Sequence, residues 1–130
     1  MSVFERIAEE IDSGMILYTP VRRARFTVDS VDAENGMVVF FVGTKTRIKI
    51  PKACWDGVSS FLRGKDWVEI GARHDTAPLG TFEEYLDRFW KQGKTHASAA
   101  SYVVPVLEHL GIAEVDHGIP SRIRLKQYQP

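Results

Sequence analysis

The sequence predicts an α+β protein: an N-terminal helix and a three-stranded antiparallel meander, packed on a mainly helical second part that closes with two short strands. Three observations carry this prediction. The hydrophobic period is helical over residues 2–13, alternates near Phe26–Val28 and Lys45–Ile50, and is helical again after Pro51. Asn35-Gly36 and Gly43-Thr44 are turn signals that divide the middle stretch into strands. Ser2 with Glu5 and Thr81 with Glu84 have the spacing of helix capping boxes, in which a hydroxyl and a carboxylate satisfy each other's end of the first turn.

The elements follow in order. Behind its Ser2 cap, the first helix carries Val3, Phe4, Ile7, Ala8 and Ile11 on one stripe and stops near Gly14. Met15–Tyr18 is apolar and is ended by Thr19-Pro20. Phe26 and Val28 alternate with polar residues. Met37–Val42 is apolar on both faces, as in a strand covered on both sides; Val38–Val42 is a partner-binding or dimer strand if that cover is incomplete. Lys45, Arg47 and Lys49 alternate with Thr46, Ile48 and Ile50, so the third strand has one basic face and one core face. Residues 1–51 are too few to be stable by themselves and are expected to form one compact unit with residues 52–130.

Pro51 opens a second helix to about Arg63, with Trp55, Val58, Phe61 and Leu62 on one face and Gly64 closing it. Residues 66–72 read as a short strand and 73–80 as a loop. Thr81 then starts a helix with Phe82, Tyr85, Leu86, Phe89 and Trp90 at helical spacing, ended by Gly93. Trp55 and Trp67 are expected as core anchors. A last helix runs to Leu110 before Gly111. Pro105 lies within it, lacks an N–H and crowds the carbonyl of Ser101. The simplest arrangement makes Ser101 the N-cap, so that Pro105 falls in the first turn; a kinked helix from Ala97 is the alternative. Residues 112–116 and 121–126 read as two strands joined by His117-Gly118-Ile119-Pro120.

The chain has 130 residues, one cysteine, and 17 bases against 17 acids. A lone Cys54 excludes an intramolecular disulfide framework and a multi-cysteine zinc site. The charged N-terminus is not that of a signal peptide, and no apolar run approaches the ~18 residues of a membrane span. A cytoplasmic protein is expected. Charge is unevenly distributed: residues 36–52 hold four bases and no acid, and residues 117–130 hold three bases and no acid. The four histidines are scattered without metal-ligand spacing, His74-Asp75 has no partnered nucleophile, and there is no Gly-rich phosphate loop. These features predict a non-enzymatic protein with no cofactor, no metal and no catalytic residue. Cys54 is expected as a half-buried structural thiol.

From Lys52 on, the order helix, strand, helix, helix, strand, turn, strand resembles the winged helix-turn-helix superfamily. The closest local match is the stretch SAASYVVPVLEHLGIAEVDHGIPSRIRLK, in which small residues open the third helix and a Gly ends it before the wing. The resemblance covers residues 52–126 and rests on pattern. It implies a third helix in the major groove of double-stranded DNA and a wing on the phosphates. Carried over by position, the exposed side of that helix would be Ser98, Ala99, Ser101, Tyr102 and Pro105. Lys91, Lys94 and His96 would flank its entrance, and Arg122, Arg124 and Lys126 would line the wing. Lys45, Arg47 and Lys49 offer a second basic patch, which Arg22, Arg23 and Arg25 extend.

Between Ala97 and Val106 there is no Arg, Lys, Asn or Gln, the residues that pair bidentately with bases. The resemblance therefore implies phosphate-dominated binding of modest specificity, by a transcriptional regulator or a DNA-recognition subunit. Reading of paired half-sites would require a homodimer, and a larger protein complex is equally open. The rival expectation is a protein–protein interaction module on the same fold that does not bind DNA. A ligand-sensing regulator is a third, without direct support.

Overall fold

The computed structural model describes residues 2–43, 45–71, 78–90 and 98–126. It is a mixed α+β fold with two antiparallel sheets. Helix α1 (Val3–Glu10) starts where expected: Ser2 Oγ accepts the N–H of Glu5 at 3.1 Å. It buries Val3, Phe4 and Ile7.

The first sheet has four strands in the order β1-β2-β3-β4: β1 (Ile16–Tyr18), β2 (Arg25–Asp32), β3 (Met37–Val42) and β4 (Thr46–Pro51). The expected meander had three. The apolar stretch before Thr19-Pro20 adds a strand because Thr19 folds the chain back: its N–H donates to Ala24 O at 2.9 Å, and its Oγ1 accepts the Ala24 N–H at 2.9 Å. Ile16, Leu17 and Tyr18 then pair with Thr27, Phe26 and Arg25. Gly36 and Gly43 make the two hairpin turns with φ of 67° and 66°, conformations in which a Cβ would be strained. β3 is paired on both sides, so it has no free edge for a partner strand.

The expected helix from Pro51 to Arg63 is two short ones, α2 (Lys52–Asp56) and α3 (Val58–Leu62), broken at Gly57. β5 is Val68–Glu69, and α4 is Phe82–Asp87 with Thr81 Oγ1 accepting the Glu84 N–H at 3.2 Å. Helix α5 (Ala99–His109) leads to β6 (Ala113–Asp116) and β7 (Arg122–Leu125). The second sheet has the order β5-β7-β6.

One hydrophobic cluster runs from Val3 to Ile123 and takes in both sheets. On the first sheet it uses the face of Leu17, Phe26, Val28, Val38, Phe40, Ile48 and Ile50. Polar ties join the two parts as well. The Phe4 N–H donates to Asp56 Oδ1 at 3.0 Å, and Arg6 Nη2 donates to the Leu110 carbonyl at 2.9 Å. The N-terminal sheet is thus a wall of the same core that α5 fills.

Candidate nucleic-acid interface

Helix α5 has apolar residues on every side: Ala99, Ala100 and Tyr102 to Leu107 are all buried, and Ser101 is half-buried. A helix of this kind belongs inside a core. Tyr102 is only 9% exposed; it meets Phe26 edge-on with ring centroids 5.1 Å apart and stacks on Phe40 at 6.1 Å. Ser98, Ala99 and Pro105 are buried too. The expected groove-facing side of Ser98, Ala99, Tyr102 and Pro105 is therefore corrected: all four are buried, Tyr102 against Phe26 and Phe40 of the N-terminal sheet and Ser98 against Glu83 of the preceding helix. The sequence of the helix could not show this, because its cover lies far upstream in the chain.

The start of α5 is also not where Pro105 suggested. Ser98 is the N-cap position, and Pro105 stands within the helix. The cap comes from α4, where Glu83, 3% exposed, reaches across. Its carboxylate accepts Ser98 Oγ at 2.8 Å, the Ala99 N–H at 3.1 Å and the Ala100 N–H at 2.8 Å. Negative charge at a helix N-terminus is favourable, and here it satisfies donors the helix cannot satisfy itself. Burial nevertheless outweighs these bonds and pushes the Glu83 carboxyl up to about 6.

On β7, the cations face partners of their own chain. Arg124 Nη1 lies 3.1 Å from Asp66 Oδ1, and Arg124 Nη2 lies 3.1 Å from Glu114 Oε2. Its guanidinium lies over the Trp67 ring, 4.2 Å from the centroid. Trp67 is therefore a half-buried platform for Arg124, not a core anchor. Arg122 Nε is 3.8 Å from Asp116 Oδ2. Lys126 is exposed at the end of β7. Lys91, Lys94 and His96 lie outside the described residues, as do His74 and Asp75.

The other face of the first sheet holds the second basic patch. Strand register puts Ile16, Thr27, Phe41 and Arg47 in one row, Tyr18 and Arg25 in the next, and Ser30, Val39 and Lys49 on the far side. Lys45, Arg47, Lys49, Arg22, Arg23 and Arg25 are exposed, and Tyr18 is 45% exposed. The Arg47 guanidinium lies 5.1 Å from the Phe41 ring centroid while Nε donates to Asp29 Oδ2 at 3.0 Å. The Arg23 guanidinium lies 5.7 Å from the Tyr18 ring. Residues 15–52 carry seven bases against three acids, so the remainder of this neutral chain is acidic by the same excess. The sequence marked the cations of this face. It did not mark Tyr18 and Phe41 as their neighbours, because Tyr18 is placed by the pairing of β1 with β2 and Phe41 by the register of β3 against β4.

Cys54 is fully buried, more than expected, and burial with the nearby Glu83 and Asp87 carboxylates pushes its thiol up to about 12. Its thiolate is out of reach near neutral pH. Among the described residues, no group of three or more His, Cys, Asp or Glu could hold a metal ion, and no helix is long and apolar enough to cross a membrane.

A family model matches residues 8–126. The chain belongs to DUF6855, a family of unknown function. No curated protein and no solved structure matches this DUF6855 chain. The match spans both sheets and α5, so the N-terminal sheet and the helix it covers lie within one family unit.

Proposed function

We propose that this DUF6855 chain is a non-enzymatic nucleic-acid-binding protein of modest sequence specificity that contacts phosphates from its N-terminal sheet. The observation that carries the proposal is the segregation of charge: seven bases against three acids over residues 15–52, with Arg25, Arg47 and Lys49 exposed on one sheet face. The finer fold reading belongs to the same proposal. Helix, β5, α4, α5, β6 and β7, with β7 between β5 and β6, follow the element order of a winged helix. In this version the helix that would enter a groove is held by Phe26 and Phe40, so the sheet takes over the contact. A regulator or a recognition subunit of a larger assembly would use such a surface.

The second reading is a protein–protein interaction module on the same fold. It is favoured by the wing, where Arg122 and Arg124 face Asp116, Asp66 and Glu114 and offer little net charge to phosphates.

A titration with labelled DNA, duplex and single-stranded, separates the two. Counterion release predicts affinity that falls steeply between about 50 and 200 mM salt, with a log–log slope near −0.9 per phosphate for a duplex and −0.7 for a single strand. The pair Arg25→Glu and Lys49→Glu is expected to abolish most of that binding for every sequence alike, whereas Arg122→Glu leaves it nearly unchanged. Absence of binding at low salt sinks the nucleic-acid reading and leaves the interaction module.

A further inference from the structure

We infer that the outer face of the four-stranded sheet is a platform for single-stranded nucleic acid, with Tyr18 and Phe41 as base-stacking rings and Arg23, Arg25, Lys45, Arg47 and Lys49 as the phosphate rim. The inference rests on the proposed function and specifies its ligand. The face that α1 and α5 pack against is closed by the core; the opposite face carries two aromatic rings among cations. From the register, Tyr18 lies opposite Arg25 on β1, while Phe41 lies opposite Thr27 on β3. Standard strand spacing and rise then put their Cα atoms about 12 Å apart, far enough for two separate bases.

A duplex keeps its base faces inside the stack and is read by an element that protrudes into a groove. Among the described residues this face has no such element, and α5 is enclosed. A single strand offers what the face can take: ring faces for Tyr18 and Phe41, and phosphates for the rim. Arg47 has two roles in this arrangement. It covers Phe41 and is held by Asp29; a base arriving on Phe41 displaces the guanidinium, which is then free to turn from Asp29 to a phosphate.

The backbone supplies an independent sign. Arg23 is the non-glycine residue with positive φ, 55°, among the described residues. Its N–H donates to the Thr19 carbonyl at 3.1 Å, so the loop holds it there. A side chain in the left-handed region costs about 1 kcal/mol or more relative to glycine and persists where something is gained by it. What this conformation delivers is Arg23 over Tyr18 at the edge of the face.

Fluorescence anisotropy with labelled oligothymidylate and with a duplex of equal length, at low salt, tests the inference on the full chain. Expected are at least tenfold tighter binding of the single strand, and about tenfold loss with Tyr18→Ser. Arg23→Gly is expected to weaken single-strand binding severalfold while the thermal midpoint stays the same or rises, which a purely structural role would not produce. Asp29→Asn should tighten binding by freeing Arg47. Equal or tighter binding of the duplex overturns the single-strand inference and leaves the proposed function standing. So does single-strand binding that is unmoved by Tyr18→Ser and Arg23→Gly in folded variants. Salt-insensitive or absent binding of both probes overturns the inference and the proposed function together.

Discussion

Gly57 lies directly against the Tyr85 side chain. A Cβ built at Gly57 would stand 2.0 Å from Tyr85 Oη and 3.3 Å from Cζ. The hydroxyl itself is buried and, among the described residues, has no hydrogen-bond partner. A ring stacked on Phe61 at 4.2 Å holds it in place. Two outcomes follow for urea unfolding. Tyr85→Phe should keep or raise stability, by up to about 1 kcal/mol, because it removes an unsatisfied polar atom. Gly57→Ala should cost about 2 kcal/mol or more from overpacking, and Tyr85→Phe in the same chain should recover much of that cost. Additive effects in the double variant would contradict this fit. The sequence alone reads straight through Gly57 as one helix, since nothing local announces a ring arriving from α4. By contrast, the hydroxyls of Ser2 and Thr81 were legible because cap and capped N–H lie three residues apart.

Helix α5 shows the same contrast on the level of an element. Its end at Gly111 and its inward residues Val103 and Leu107 follow from local pattern, but its start depends on Glu83 of α4. Pro105 pulled the expected start forward to Ser101; the carboxylate supplies acceptors to Ala99 and Ala100 and sets it earlier. This cap makes stability depend on pH in a definite direction. The folded Glu83 carboxyl titrates at about 6 against an ordinary 4.5, so the folded chain holds the proton more tightly than the unfolded one. Its contribution is fully present below about 4.5 and is lost as pH rises through about 6, a decline of about 2 kcal/mol. Urea midpoints measured across that window should fall in the natural chain. In Glu83→Gln this component should vanish, at the expense of a weaker cap. Identical pH profiles would contradict the assignment.

At the scale of the whole molecule, one core binds the cationic sheet to the acidic remainder, and the face left outside is the basic one. The class of fold and, apart from the break at Gly57, the order of elements after Lys52 were legible as local periodicity and turns. Which side of α5 is free was not, because Tyr102 meets Phe26 and Phe40 only after the chain has closed on itself. The likeness of α5 to a reading helix therefore pointed to contacts on a buried surface, and the cations of β2 and β4 are the site proposed in its place. The most direct test is to map amide chemical-shift changes of the full chain as single-stranded oligonucleotide is added. Binding through the sheet predicts that Tyr18, Arg23, Arg25, Thr27, Phe41, Arg47 and Lys49 shift while Ala99–Val106 stay in place. Shifts concentrated in Ala99–Val106 or on Arg122–Lys126, or no shifts at all, would contradict it.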